Sequence, residues 1–134
     1  MKIGISEAFR RYGARLKNVN CSVSAWADEQ TLVVSLWSHH HIKGHTPGTL
    51  AFGDRFDRWT GPGNAEFRAN VTQAHERGAT VRLVLARATE PDRVQRGEDG
   101  GKIPKTFSVR EDLVGKVAAL DGESYVIVFR RITL

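Results

Sequence analysis

Imidazole, indole, carboxylate and guanidinium groups are concentrated in one stretch of the sequence, residues 37–59. Four of the five histidines lie at positions 39–45, just after Trp37, and a second tryptophan, Trp59, ends the stretch. Groups of these types hold metals, phosphates and planar ligands in proteins, so we expect a functional site to lie here. The charged residues that we single out in this stretch are Asp54, Arg55 and Arg58.

The histidine cluster suggests a metal site. His39 and His41 would share one face of an extended chain, and His45 follows within the same loop. With Asp54 or Asp57 they would form a nitrogen and oxygen ligand set suited to zinc, nickel or manganese. The alternative is an exposed polar loop, because this spacing lacks the helical or zinc-finger pattern of a specific site. We therefore expect no cofactor, and keep a divalent transition metal at these three histidines as the open alternative.

Trp37 and Trp59 stand at the ends of predicted elements and suggest an aromatic-walled pocket. A nucleic-acid base or another aromatic ligand would stack between them, with Asp54 accepting a hydrogen bond from a base edge and an arginine holding a phosphate. The alternative, that both are core residues, stays open, since most large aromatic side chains pack in cores. The predicted ligand-binding residues are Trp37, His39, His41, Asp54, Arg55, Arg58 and Trp59.

The chain is basic. It has 20 Lys and Arg against 15 Asp and Glu, a net charge of +5 and a pI of about 9.8. An arginine-rich basic protein of this size indicates a polyanionic partner, DNA or RNA, because guanidinium groups bind phosphates and stack on bases. The alternative is an ordinary solvated basic surface. The residues predicted to contact a nucleic-acid backbone are Arg10, Arg11, Arg15, Lys43, Arg93, Arg96, Lys102 and Lys105.

No motif in the sequence specifies a reaction, so we expect a binding protein rather than an enzyme. Residues 97–103 combine glycines with a lysine but lack the spacing of a phosphate loop and the Ser or Thr that follows its lysine. The serines occur without the nucleophile-elbow pattern. Cys21 is the single cysteine, which excludes an internal disulfide and fits a small core residue.

Length and composition indicate one domain, residues 1–134, with the 40% apolar and 26% charged content of a globular protein. No apolar run is long enough for a membrane span and no signal peptide is visible, which predicts a cytoplasmic protein without a membrane partner. The predicted elements are a helix from Ser6 to about residue 17, strands at 21–27, 31–38 and 49–56, a helix from Asn64 to Arg77, a strand at 79–88, a mobile loop at 89–105, and a hairpin of 113–120 with 124–132.

Most of these strands follow one another without a helical crossover. The order therefore predicts an α+β fold, a strongly curved, largely antiparallel sheet or partly open β-barrel with two helices packed on it. The strand around Gly53-Asp54, the aromatic residues beside it and the small curved sheet are similar to the barrel modules that read RNA or modified bases, an analogy of fold.

Three hypotheses of function follow from these features. The first is a small nucleic-acid-binding module that uses the basic surface and the aromatic pocket. The second is a small-ligand-binding protein that holds a small aromatic ligand in the same pocket. The third is a metal-assisted hydrolase or nuclease built on the histidine loop.

Overall fold

A computed structural model describes residues 3–43, 45–99 and 102–132 of the chain. Two 3₁₀ turns, Ser38–His40 and Phe56–Arg58, directly follow strands. Within the described ranges, no helix is both long and apolar enough to cross a membrane. The helices and strands are α1 (Ile5–Arg10), β1 (Ser24–Asp28), β2 (Thr31–Trp37), β3 (His41–Ile42), β4 (Thr49–Arg55), α2 (Pro62–Arg77), β5 (Thr80–Ala88), α3 (Pro91–Gln95), β6 (Lys105–Val109), β7 (Leu113–Asp121) and β8 (Ser124–Arg131).

The eight strands form one mixed sheet that does not close. Its order is β1-β2-β5-β7-β8-β4-β3, and β6 pairs with the end of β5. β2 and β5 are parallel, because β3, β4 and α2 form the long crossover between them, whereas the other pairs are antiparallel. The predicted α+β class, with a curved and largely antiparallel sheet that carries helices, is confirmed.

Two helices cover opposite faces of the sheet at β2 and β5. Leu32 and Val34 of β2 pack into the larger core with Val71 of α2. Val33, which points the other way, packs with Phe9 of α1 in a second core. The predicted end of α2 is also confirmed, because Gly78 adopts the left-handed conformation with φ of 62° that terminates helices.

The first predicted helix is too long. α1 ends at Arg10, and the chain then turns at Gly13, whose φ of 82° favours glycine. Arg15 and Lys17 therefore lie in an exposed non-helical segment instead of on a helix face. The segment leads into a turn at 18–22, so β1 begins three residues later than predicted.

The prediction of a loop throughout 89–105 is wrong for the residues that the structure describes, and residues 100 and 101 lie outside them. This segment contains α3, and β6 begins at its end. Val94 and Ile103, two apolar residues in an otherwise polar stretch, are 0% and 2% exposed. Their burial holds the segment against the end of β5, where it forms one side of the candidate site described below.

Candidate functional site

A cleft of about 770 Å³ lies between the turn at 18–22, the ends of β2 and β4, and the start of α2. Buried aromatic residues form its floor: Phe56, Phe67 and Tyr125 are 2%, 5% and 7% exposed. Two half-buried tryptophans, Trp37 and Trp59, line its walls. The polar side chains of the lining include Asn20, Ser35, Asp54, Asn64, Asp99 and Lys105.

The two tryptophans are held in place by the segment that follows β5. Both pack against the small apolar cluster of Ala88, Val94 and Ile103. Each indole therefore has one part in contact with this cluster while the residue also lines the cleft. The structure thus places the two tryptophans along the same cleft, and their role in binding a ligand stays a prediction.

Asn64 supports the wall at Trp59. The sequence predicted that this helix begins at Asn64, but α2 begins at Pro62, with Gly61 as its cap. The Asn64 side chain instead donates hydrogen bonds to the carbonyl oxygens of Phe56 and Trp59, at 2.8 and 3.0 Å. These bonds fix the backbone between the 3₁₀ turn and α2, and with it the position of the indole.

Asp54 is the centre of a buried polar cluster at the edge of the cleft. Its side chain is 3% exposed and accepts a hydrogen bond from Arg58 Nε at 2.8 Å. Its second oxygen lies 3.4 Å from His40 Nδ1. Tyr125 lies opposite Asp54 on β8, and burial, reinforced by the charge of Asp54, raises the pKa of its hydroxyl.

Gln95, the last residue of α3, joins this cluster to the segment that supports the tryptophans. Arg58 donates to its backbone oxygen at 3.0 Å. His39 Nε2 and His40 Nε2 lie 3.0 and 2.6 Å from the end of its side chain. Asp54, on β4, is thus connected through Arg58 and His40 to α3, which is 37 or more residues away in sequence.

The protonation pattern of the cluster follows from its geometry. Burial lowers the pKa of His40, and the contacts with Gln95 and Asp54 only partly oppose this effect. A neutral imidazole has one donor nitrogen, so His40 cannot donate to both Gln95 and Asp54. If the Gln95 amide turns its NH₂ group toward both imidazoles, it donates to both Nε2 atoms, and His40 donates its Nδ1–H to Asp54.

The three histidines predicted as metal ligands do not converge. His39 faces Gln95, His41 lies on β3 against the ring of Phe52, and His45 contacts Thr49. The prediction required an extended chain, but residues 38–40 form a 3₁₀ turn, which separates the directions of His39 and His41. Within the described ranges, no group of three or more His, Cys, Asp or Glu residues is placed to hold a metal ion.

The two predicted arginines of the site differ in role. Arg58 points inward to Asp54, with 22% of its side chain exposed. Arg55 lies at the lip of the cleft and pairs with Asp57 through two hydrogen bonds of 2.9 and 2.8 Å. Arg55 is therefore the more accessible of the two arginines to a ligand phosphate. Arg58 instead donates to Asp54 within the buried polar cluster.

Several predicted phosphate contacts are already paired with carboxylates. Arg10 and Arg11 both pair with Glu7, at 3.3 and 3.9 Å. Arg93 and Arg96 both pair with Glu98, at 2.9 and 2.6 Å. Of the predicted contacts, Arg15, Lys43 and Lys102 are exposed and have no ion pair to any other described residue. The same holds for five cations outside that set: Lys17, Arg77, Arg87, Lys116 and Arg130.

Lys105, the remaining predicted backbone contact, lines the cleft itself. It is half-buried and donates to the carbonyl oxygen of Ile103 at 3.2 Å. Burial lowers the pKa of its ammonium group, and the charge of Asp99 opposes this shift. Lys105 therefore contributes a partly desolvated positive charge to the cleft.

No family model matches the chain, and no curated protein is similar to it at a significant level. Among solved structures, the chain is similar to the crystal structure of KRYPTONITE in complex with mCHG DNA and SAH, with a TM-score of 0.35 and 11% sequence identity. The match covers 99% of this chain and 26% of that chain. A likeness at this level assigns neither a family nor a function to the protein.

The lowered pKa of His40 predicts a specific dependence of stability on pH. The folded protein protonates His40 less readily than the unfolded chain does. The contribution of neutral His40 to stability is therefore fully present above about pH 6.5 and is lost as the pH falls below that value. We expect the His40→Gln variant to lose less free energy of unfolding than wild type between about pH 7 and pH 5. Urea melts of wild type and of the His40→Gln variant at each pH measure this difference.

Proposed function

We propose that this protein binds nucleic acid by stacking an unpaired base against Trp37 and Trp59 in the cleft, without catalysing a reaction. The observation that carries the proposal is that two half-buried tryptophans line one cleft with polar groups around them. Base stacking on an aromatic side chain contributes roughly 1–3 kcal/mol and tolerates any base.

The size and polarity of the cleft support this proposal. Its volume of about 770 Å³ lies within the range of small-molecule and nucleotide sites. Hydrogen-bonding groups such as Asn20, Ser35 and Lys105 surround the aromatic walls, so the edge of a stacked base has donors and acceptors within the lining. Asp54 has a different role from the one predicted, since at 3% exposure it positions Arg58 and His40 and gives a ligand little access.

The charge distribution supports a polyanionic ligand through Arg15, a predicted backbone contact, and through Lys17, which was not among the predicted contacts. Arg15 and Lys17 are exposed, have no ion pair within the described part of the chain, and immediately precede the turn that lines the cleft. Phosphates that flank a base in the cleft would meet these two cations first. Arg10 and Arg11 would contribute less because Glu7 offsets one of their two charges, and Arg93 and Arg96 would contribute less because Glu90 and Glu98 offset both of theirs.

A small aromatic ligand is the second candidate. The same ion pairs favour it, because three carboxylates offset three of the four positive charges that these arginines would offer to a phosphate backbone. Such a ligand would use the same tryptophans, so variants of the cleft alone do not separate the two candidates. The dependence of affinity on salt does separate them.

Salt dependence provides the test. For short single-stranded DNA and RNA, we expect log K to fall with log salt with a slope of about −0.7 for each phosphate that is neutralised. A double variant, Arg15→Ala with Lys17→Ala, should reduce that slope by about 1.4, the value for two contacts. Fluorescence anisotropy of labelled oligonucleotides from low to moderate salt measures both quantities.

The double variant Arg10→Ala with Arg11→Ala is the matched control, since it removes the same net charge from residues already paired with Glu7. Its slope should stay closer to wild type. Absence of oligonucleotide binding at low salt would contradict the proposal. Salt-independent quenching of tryptophan fluorescence by free nucleosides would favour the second candidate.

A further inference from the structure

The hydroxyl of Tyr125 is a buried polar group that the fold itself does not use. Tyr125 is 7% exposed, and its ring packs against Phe56 and Phe67 with centroid distances of 4.8 and 5.4 Å. Within the described ranges, its hydroxyl has no hydrogen-bond partner. Buried hydroxyls are nearly always hydrogen-bonded, because an unpaired one has lost the bonds that it makes to water in the unfolded chain. This group is therefore placed for a partner from outside the chain.

The Tyr125 hydroxyl opens into the cleft. Among the described side chains, the fully enclosed polar atoms without a partner are Nδ1 of His39 and Oε1 of Glu66. The Tyr125 oxygen is not one of them, so part of its surface remains accessible, and Tyr125 lines the cleft. A ligand that stacks on Trp37 and Trp59 would thus meet this hydroxyl at the floor of the cleft.

The surroundings keep the Tyr125 hydroxyl protonated and leave it free to bond to a ligand. Burial and the charge of Asp54 raise the pKa of the hydroxyl, and the charge of Arg58 opposes this shift only in part. The two oxygens of Asp54 already face Arg58 and His40. A protonated phenol hydroxyl can donate one hydrogen bond and accept another. Tyr125 therefore offers a ligand a neutral hydrogen-bonding group in an aromatic floor.

Asn64 provides a second hydrogen-bonding group with a fixed orientation. Its amide nitrogen donates to the carbonyl oxygens of Phe56 and Trp59, so both of its N–H donors are used. Its Oδ1 is left as an acceptor without a partner in the described part of the chain, and Asn64 lines the cleft. Asn64 also lies three residues before Phe67 on α2, on the helix face that meets the ring of Tyr125.

We propose that the Tyr125 hydroxyl forms a hydrogen bond with the edge of the bound base, beside the Asn64 acceptor, and so determines the specificity of the cleft. This inference rests on the proposed function and names the group of the same site that recognises the ligand. The ligand class is a planar heterocycle with a donor and an acceptor on one edge, which every nucleic-acid base has and an aromatic hydrocarbon lacks. A ring without such an edge would leave the hydroxyl buried and unpaired, which weakens its binding.

The experiment uses short single strands in which every position except the central one is abasic, so that a single ring enters the cleft. The centre carries one of the natural bases or difluorotoluene, which has the shape of thymine without its hydrogen-bonding edge. We expect wild type to bind the best natural base about tenfold more tightly than difluorotoluene, and Tyr125→Phe to narrow this ratio about fivefold. Fluorescence anisotropy of the labelled strands measures these affinities.

Tyr12→Phe is the matched control, because the fold does use the hydroxyl of Tyr12. This hydroxyl donates to the carbonyl oxygen of Leu83 at 2.7 Å and accepts from Arg110 N at 3.0 Å, and Tyr12 does not line the cleft. Its removal should lower the urea midpoint and keep the wild-type ratio of affinities. Tyr125→Phe should do the reverse, with a midpoint equal to or above that of wild type, because it removes no hydrogen bond within the described part of the chain.

The outcomes separate this inference from the proposed function. The same ratio for wild type and Tyr125→Phe, or a loss of stability in Tyr125→Phe as large as that in Tyr12→Phe, overturns the role of Tyr125. Equal affinity of wild type for difluorotoluene and for all the natural bases also overturns it, and leaves stacking in the cleft in place. If a base at the centre adds no affinity over a fully abasic strand, the proposed function itself is overturned.

Discussion

Replacing Asp54 by alanine is expected to lower the free energy of unfolding by about 3 kcal/mol, the lower end of the range for breaking a buried ion pair. The substitution leaves the Arg58 guanidinium and the His40 ring without their partner in a nearly dry environment. We expect a loss at the lower end of this energy range because 22% of the Arg58 side chain is exposed to solvent. Urea denaturation should show a lower midpoint with an unchanged slope.

The neighbouring pair of Arg55 and Asp57 provides the control for this prediction. It has a comparable hydrogen-bonding geometry, at 2.9 and 2.8 Å, but lies on the surface. An exposed pair gains little from its attraction, so Asp57→Ala should leave the midpoint close to wild type. If Asp54→Ala and Asp57→Ala unfold at the same urea concentration, the buried cluster does not stabilise the fold as argued.

The parts of the fold that could be predicted are those with strong local patterns. The helix α2 has an apolar stripe at Phe67, Val71 and Ala74 and a terminal glycine, and these features require no knowledge of distant contacts. The hairpin of β7 and β8 alternates apolar and polar residues around Asp121-Gly122. By contrast, α1 was predicted too long. The turn at Gly13 ends it early, and the hydrogen bond from Tyr12 to Leu83, 71 residues away, is a contact of this segment that the sequence does not reveal.

The ion pairs of the basic residues are predictable from sequence spacing alone. Glu7 lies three and four residues before Arg10 and Arg11, the spacing at which helical side chains meet. Glu98 similarly follows Arg93 and Arg96 within five residues. Weighing each cation against its near carboxylates would have given less weight to these four arginines among the predicted phosphate contacts.

Only some of the residues at the centre of the site could be predicted from the sequence. Trp37, Trp59 and Asp54 were selected because they are aromatic or charged residues at element ends, and they do lie around one cleft. Gln95 was not selected, since a glutamine in a polar segment has no distinguishing pattern, yet it contacts His40 from 55 residues away. His40 was overlooked in favour of its neighbours because a strand-like alternation was assumed where the chain forms a 3₁₀ turn.

Replacing either Trp37 or Trp59 by alanine is expected to weaken binding of single-stranded oligonucleotides about tenfold or more, the loss of one stacking contact. The stability cost should be about 1–2 kcal/mol, below the 3–5 kcal/mol of a fully buried aromatic residue, because both side chains are half-buried. Trp26→Ala is the matched control. Trp26 is also half-buried, donates from its indole N–H to Asn70 at 3.1 Å, and does not line the cleft.

The comparison of these three variants decides whether the tryptophans form a site or only a wall of the core. The Trp26 variant should lose comparable stability and keep its affinity for oligonucleotides, whereas the Trp37 and Trp59 variants should lose affinity. Denaturant melts and anisotropy titrations of all three variants measure the two effects separately. If Trp37→Ala and Trp59→Ala keep wild-type affinity while losing as much stability as Trp26→Ala, stacking in the cleft is excluded and the two indoles serve only to pack α3 against the end of the sheet.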